Sequence, residues 1–250
     1  MRFLRRCGRL LNAGLAVVGL KVIRQAEGCA NPVNPVAADT SATLQRLRVD
    51  VAELLRAGRP IKLHVGCGPR ILKGWLNIDL SYEPCEAYLQ YYGGTHYPPE
   101  VRGSLSEFYP IDVSQTRLPI PDGTVDVIAH EDFIEHLSQK DQVAFLAEAF
   151  RILKKGGVHR VNTPNLLVSL RDRYDFSRGS EGVYREAWAM HGHVNILSPR
   201  LLEDLARWIG YREVVVAHKN QSRSGLLYRE YRPDPRDSSE DENLYADLVK

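Results

Sequence analysis

Residues 61–69 read IKLHVGCGP, a short apolar run that enters a turn containing two glycines. Such a run is typical of a buried strand in a parallel sheet. Glycine at the carboxyl end of a strand lets the backbone approach a ligand that a Cβ atom would exclude. Tight turns without a ligand use glycine as well, so the turn alone does not decide between the two interpretations. We predict that this run is the first strand of the main domain.

Similar runs recur along the chain and alternate with stretches of helical periodicity. We predict further strands at Trp75–Leu80, Phe108–Val113, Val125–Ala129, Val158–Asn162 and Val214–Ala217. We predict helices at Thr43–Ala57, at Ser138–Lys155 with Gly156 and Gly157 as its end, and from Ser198-Pro199 to Gly210. This alternation indicates an α/β fold with a doubly wound, mostly parallel sheet that carries helices on both faces.

The chain divides into three parts in this interpretation. Residues 1–58 form an N-terminal extension made of a basic, amphipathic helix, a linker and a second helix. Residues 59–220 form the main domain. Residues 221–250 form a polar tail with two prolines and an acidic run at residues 240–242, so we expect the tail to be loosely held.

Composition excludes some classes of protein. The chain has 33 basic and 31 acidic residues, and this near balance argues against a protein whose main affinity is for the nucleic-acid backbone. Its four cysteines are scattered without a C-x-x-C pair, so neither a cysteine metal cluster nor a dense disulfide framework is indicated. We therefore expect a cytoplasmic protein.

Residues 1–24 carry six basic residues and no acidic one. The apolar stretch Leu10–Ile23 within them is interrupted by Asn12 and Lys21, and it is too short for a membrane span. Three interpretations stay open: a weak secretory signal, an amphipathic helix lying on anionic lipid, and a helix docked on the protein body. The flanking basic residues favour the last two, so we keep peripheral membrane contact through residues 1–24 as an alternative.

Two carboxylates follow predicted strands. Asp79 ends the second strand and Asp112 ends the third. In an open α/β sheet, ligands bind outside the carboxyl ends of the strands, where the strand order reverses. Asp79 is thus placed to accept hydrogen bonds from both hydroxyls of a ribose, and Asp112 with the Val113 backbone to read an adenine amine.

Several segments together carry a resemblance to a known family. They are residues 62–69, GWLNID at 74–79, residues 118–127, FIEHL at 133–137 and LKKGGV at 153–158. On these segments, residues 60–217 resemble the class I S-adenosylmethionine-dependent methyltransferases, of the type 11 branch. The resemblance implies a Rossmann-like sheet of seven strands, one of them antiparallel, near the carboxyl end: the strand around Val214 or a partner after it. It also implies S-adenosyl-L-methionine as cofactor, bound by His64, Gly66, Cys67, Gly68, Asp79, Asp112, Val113 and His130.

The sequence departs from the family pattern in three places. His64 stands where the family has an acidic residue, and Arg70 stands in place of a third glycine. The connection from Gly66 to Asp79 is short, so we predict that its helix is reduced to a turn. A short connection also argues against a nicotinamide-binding protein, which needs that helix to hold a pyrophosphate.

Candidate catalytic residues lie in two segments. Glu131 and His136 follow the fourth strand, and His193 lies just before the last helix, in a loop where family members often place a histidine facing the acceptor. We predict His193 or Glu131 as the general base for a hydroxyl acceptor. His191 and His193 are also half of a metal-site pattern, but no third ligand stands at a suitable spacing, so we predict no metal.

Two long segments are candidates for the acceptor pocket. Residues 82–104 are rich in tyrosine, and residues 165–195 combine aromatic residues with arginines. Such side chains suit sugar rings or anionic small molecules. We therefore predict methylation of a hydroxyl on a saccharide or other small molecule. A methyltransferase of secondary metabolism and a catalytically idle domain that binds cofactor or a protein partner are the alternatives. A nucleic-acid substrate is disfavoured because AHED, at residues 129–132, replaces an NPPY-type motif.

Overall fold

The computed structural model describes residues 40–82, 97–168, 192–230 and 243–250. The helices in these ranges are α1 (Thr40–Arg56), α2 (Gln139–Ile152) and α3 (Pro199–Ile209). The strands are β1 (Lys62–Val65), β2 (Leu76–Asp79), β3 (Phe108–Pro110), β4 (Val125–Glu131), β5 (Leu153–Pro164), β6 (Glu213–Ala217) and β7 (Asn243–Val249). Short 3-10 turns occur at Pro99–Val101, Leu105–Glu107 and Ile134–His136.

The seven strands form one sheet in the order β3-β2-β1-β4-β5-β7-β6. Neighbours from β3 to β5 pair in parallel, whereas β7 pairs antiparallel with both β5 and β6. The predicted doubly wound, mostly parallel sheet with one antiparallel strand is confirmed. The chain runs outward from β1 to β3 and then returns to β4 on the other side of β1. The strand order therefore reverses between β1 and β4.

Helix α1 is part of the hydrophobic core. Leu47 and Val51 are buried in the same cluster as the β1 residues Leu63 and Val65. Asp50 of the same helix accepts a hydrogen bond from the Tyr109 hydroxyl of β3 over 2.6 Å. The helix therefore covers the sheet near β3 and helps to hold the strands that carry the site.

The ends of the later helices follow local capping chemistry. Ser138 and Ser198 accept backbone N–H groups at the starts of α2 and α3, and Gly210 ends α3 with φ of 119°, as predicted. The predicted end of α2 at Gly156 and Gly157 is wrong. The helix stops at Ile152, and both glycines lie within β5, because Leu153 already pairs with Val125 of β4.

The prediction of a loosely held tail is wrong for the last residues. Asn243–Val249 form β7, which lies between β5 and β6, and its residues from Leu244 to Val249 are buried. The strand was not predicted because it contains Asp247, and a charge in a buried strand is rare unless it is paired. Here Arg160 of β5 donates to Asp247 over 3.2 Å. The main domain therefore extends beyond residue 220.

The N-terminal segment 1–24 and the acidic run at residues 240–242 lie outside the described residues. Within the described ranges, no helix combines the length and the apolar character that crossing a membrane requires.

Candidate functional site

The strand register aligns the predicted site residues along one edge of the sheet. Val65 pairs with Ile78 of β2 and with His130 of β4. The residues that follow these positions, Gly66, Asp79 and Glu131, therefore stand together at the carboxyl ends of three adjacent parallel strands. The reversal between β1 and β4 lies at this edge, which is where open α/β sheets bind ligands.

The glycine turn and Asp79 form one unit. Gly66 and Gly68 have φ of 63° and 53°, a region that disfavours residues with a Cβ. The Gly68 N–H donates to Asp79 Oδ2 over 2.8 Å, and the Leu80 N–H donates to Asp79 Oδ1 over 2.7 Å. Nothing lies within 4 Å of the point where a Cβ of Gly68 would stand, so the space beside this turn is open. The carboxylate of Asp79 is thus held against the turn.

Gly66 is needed for a second reason. A Cβ at this position would lie 2.6 Å from Cδ2 of Phe133, which follows β4. The Phe133 ring therefore packs directly on the glycine turn, across the reversal between β1 and β4. Cys67, the next residue, is buried, and burial raises the pKa of its thiol well above the usual value, so it is a packing residue here.

Asp112 and Val113 were predicted to end the third strand, but β3 stops at Pro110, so both residues lie just after it. Asp112 Oδ1 accepts the N–H and the hydroxyl of Ser114 over 2.9 and 2.6 Å, whereas Val113 is buried. The carboxylate is thus exposed but organised by its own turn. This pair lies two strands away from β1, on the same side as Asp79.

His64 does not offer the charge that the family's acidic residue would offer. Its ring is fully buried, with Nδ1 3.1 Å from Asn77 Oδ1 and the Tyr228 ring centroid 5.2 Å away. Burial and the nearby Arg70 guanidinium lower the pKa of His64 to about 4. At neutral pH this position therefore carries no charge.

A buried ion pair stands beside His64. The Arg70 Nη2 lies 3.3 Å from Glu131 Oε2, and both side chains are less than a tenth exposed. Burial raises the pKa of Glu131, but Arg70 and the Tyr228 hydroxyl more than offset this, so the pKa lies below its usual value. A general base works best with a pKa near the working pH. The geometry therefore disfavours Glu131 as the base and makes it a fixed negative charge.

His130 belongs to the core. Its ring is fully buried, and the ring centroids of Phe133, Phe145 and His159 lie 5.1–5.7 Å away. Burial and the neighbouring His159 hold the pKa of His130 well below its usual value. The His130 side chain therefore packs in the core, whereas the resemblance implied that His130 binds the cofactor.

The structure brings His136 and His193 together and adds Glu135. His193 Nε2 lies 3.9 Å from Glu135 Oε1, and the two imidazole centroids are 5.1 Å apart. One ligand atom from each of the three residues lies within 4.8 Å of the others. Glu135 stood among the candidates after the fourth strand, but its pairing with His193 was not predicted, because His193 is 58 positions further along the chain. His191 lies outside the described residues.

Backbone hydrogen bonds hold this cluster in place. Val194 and Asn195 both donate their N–H to the Glu135 carbonyl, over 2.8 and 3.1 Å. The Gln142 amide donates to the carbonyls of Ile134 and Asn195, and Asn195 donates to the Gln142 oxygen over 2.8 Å. The loop before α3 is thus fastened to the 3-10 turn after β4.

Both predicted acceptor segments leave the sheet at its carboxyl edge. One starts after β2 and the other after β5. Of the first, Tyr82 and residues 97–104 are described, and the Tyr97 hydroxyl donates to the Ile71 carbonyl over 2.5 Å. Residues 83–96 and 169–191, with most of the predicted aromatic and arginine side chains, lie outside the described residues.

Part of this chain matches known proteins. Residues 63–161 match the type 11 family model described as "Methyltransferase domain". A "Probable S-adenosylmethionine-dependent methyltransferase" of Mycolicibacterium smegmatis is 35% identical over 116 residues, which cover 45% of this chain and 40% of the relative. A protein of the same description from Mycobacterium tuberculosis (strain ATCC 25618 / H37Rv) is 43% identical over 68 residues, 27% of this chain and 24% of the relative. The matches thus cover less than half the length of these relatives.

Among solved structures, a "SAM dependent methyltransferase from Archaeoglobus fulgidus" superimposes with a TM-score of 0.46 at 14% identity. The superposition covers 85% of this chain and 100% of the other.

Proposed function

We propose that this chain, whose residues 63–161 form a methyltransferase domain of type 11, is an S-adenosylmethionine-dependent methyltransferase that acts on a hydroxyl of a saccharide or another small molecule. The observation that carries the proposal is the Asp79 carboxylate held against an open glycine turn at the reversal of strand order. An adenosine fits this arrangement, because its ribose offers two hydroxyl donors to the carboxylate and its base extends toward Asp112 and Val113.

The methionine end of the cofactor needs charged partners, since it carries an ammonium and a carboxylate. His64 is neutral, so it does not replace the missing acid. Glu131 and Arg70 supply a negative and a positive charge at the same edge, 3.3 Å apart. We therefore assign Glu131 to the cofactor's ammonium and Arg70 to its carboxylate. Asp79, Asp112 and this pair then span the edge from β3 to β4.

The bound cofactor would supply an electrophilic methyl group on a sulfonium. What this chain supplies is position and proton removal. The cluster of Glu135, His136 and His193 stands after β4, on the other side of the reversal from Asp79. We place the acceptor hydroxyl at this cluster. There His193 would accept the proton of the hydroxyl, and the bound cofactor would supply the methyl group.

Support for a saccharide or small-molecule acceptor comes from the two segments that leave the sheet at this edge. Their aromatic and arginine residues suit sugar rings and anionic groups. Turnover is measured as S-adenosylhomocysteine release with separate pools of saccharides, small alcohols and amines. Release with amines alone would contradict a hydroxyl acceptor.

Cofactor binding is tested by the shift in melting temperature with S-adenosylhomocysteine. A ligand at 100-fold its Kd stabilises a protein by about 2.7 kcal/mol, so the native protein should melt several degrees higher. We expect Asp79→Asn to weaken this binding about 10–100-fold, because a carboxylate acceptor is lost.

Asp204→Asn is the matched control, since Asp204 is a carboxylate of α3 that forms an exposed ion pair with Arg200. An equal shift in Asp79→Asn and Asp204→Asn would contradict the proposed site. A normal shift without turnover on any acceptor pool would instead favour the idle domain.

A further inference from the structure

We infer that Glu135, His136 and His193 bind a divalent transition-metal ion at the acceptor side of the edge. This deepens the proposed function and rests on it for the role of the metal, although not for its binding. The residues form a set of two imidazoles and one carboxylate, with one ligand atom of each within 4.8 Å of the others.

The distances suit a site that tightens on binding. In a tetrahedral zinc site with bonds of about 2.1 Å, the ligand atoms lie roughly 3.4 Å apart. His193 Nε2 and Glu135 Oε1 are 3.9 Å apart, so this pair needs to close by only about half an ångström. The two imidazole planes stand at 77° to each other, an arrangement that lets two nitrogen lone pairs converge rather than stack.

Glu135 and His136 are each held by a further polar contact. The Thr163 hydroxyl donates to Glu135 Oε2 over 2.8 Å. His136 Nδ1 lies 3.3 Å from the Gly192 carbonyl oxygen. A carbonyl only accepts, so Nδ1 carries the proton and the lone pair of His136 is on Nε2. Metal-bound histidines typically donate their other ring N–H in this way, which fixes the ring and its tautomer.

The environment favours a cation. The Glu135 side chain is fully buried and that of His193 is 7% exposed. A buried carboxylate is costly unless a positive charge lies close to it. The mixed nitrogen and oxygen set suits zinc, iron or manganese better than calcium or magnesium, which prefer oxygen alone. The hydrogen bonds between Glu135 and residues 194 and 195 keep the set assembled before any ion arrives.

The place of the cluster indicates a role. Glu135 follows β4, and Thr163 is near the carboxyl end of β5, so the ion would lie beside the reversal and opposite Asp79. A metal ion lowers the pKa of an oxygen that it binds. An acceptor hydroxyl at this point would then lose its proton to solvent, and His193 and His136 would act as ligands instead of as bases.

The test measures metal binding directly, on the full chain after removal of any histidine tag and dialysis against a chelator. Zn²⁺ and Mn²⁺ are titrated by calorimetry, and Co²⁺ is followed by its visible absorption. We expect one equivalent in the native protein and at least 100-fold weaker binding in His193→Ala. His218→Ala is the matched control, since His218 is exposed and Arg160 bonds its backbone carbonyl rather than its ring.

Two results would overturn the inference. One is no binding of these ions at 1 mM (roughly −4 kcal/mol) in the native protein. The other is equal binding in His193→Ala and His218→Ala. In either case Glu135 and His193 form a simple ion pair. Glu135→Gln is a second variant, and if it fails to fold, His193→Ala decides, because it changes only a loop. The melting shift with S-adenosylhomocysteine, measured on the same samples, shows separately whether the cofactor proposal holds.

Discussion

At the scale of single residues, the site depends on positions where a side chain would be wrong as much as on the side chains present. Gly66 has a positive φ, which disfavours a residue with a Cβ. The missing Cβ also leaves room for the Phe133 ring, so both requirements select glycine here. His64 and Glu131 show a related exchange. A neutral imidazole occupies the usual acidic position, and we propose that Glu131, at the end of the neighbouring strand, provides the charge instead.

Gly66→Ala should lower the free energy of unfolding by about 2–4 kcal/mol, from backbone strain plus the collision with Phe133. Gly123→Ala is its control: φ is 67° there, but nothing lies within 4 Å of the added Cβ, so it should cost only about 1–2 kcal/mol. Urea unfolding of the two variants measures the difference. Equal losses would mean that Phe133 moves aside without cost.

At the scale of elements, buried charges connect β5 to β7 and to Glu230, which precedes β7 in the chain. Arg160 donates to Glu230 from Nε over 2.8 Å and from Nη2 over 2.9 Å, and its Nη1 donates to Asp247. Burial raises the pKa of Glu230, although Arg160 acts against this. One guanidinium thus contacts both carboxylates, so β7 can carry an aspartate and still be buried.

Arg160→Leu should lower the free energy of unfolding by about 3–5 kcal/mol, since it leaves buried carboxylates without their cation. Arg200→Leu removes an exposed partner of Asp204 and should change stability by no more than about 0.5 kcal/mol. Chemical denaturation compares the two. A small loss in Arg160→Leu would show that the carboxylates become protonated at little cost.

At the scale of the whole molecule, the central strands hold three buried histidines, His64 on β1, His130 on β4 and His159 on β5. Burial lowers the pKa of His159 to about 3, and those of His64 and His130 are also lowered. Unfolding exposes these rings and restores their ordinary pKa of about 6.5. Their contribution to the free energy of unfolding is therefore complete above a pH of about 6.5. It is lost as the pH falls toward the lowered pKa values of the rings in the folded state.

The free energy of unfolding should thus decrease between pH 6.5 and 4, by up to about 1.4 kcal/mol per pH unit for each buried histidine. His159→Gln should reduce this slope by the amount that one bound proton contributes, whatever its effect on stability at pH 7. His218→Gln, which replaces an exposed ring, is the control. Urea unfolding across this pH range checks it, and an unchanged slope in His159→Gln would contradict the assignment.

The sequence by itself determined the parallel strands β1 to β5, the glycine turn and the positions of Asp79 and Asp112 at or just after the second and third strands. Those features are local: a strand, its turn and the residue that ends the next strand are encoded within a few positions. Only the tertiary structure decided where β7 lies, that Arg70 pairs with Glu131, and that His193 meets Glu135 and His136. Each of these joins residues that are far apart in the chain or hidden by an unfavourable charge, and such contacts are selected by packing and charge pairing in the folded molecule rather than by sequence periodicity.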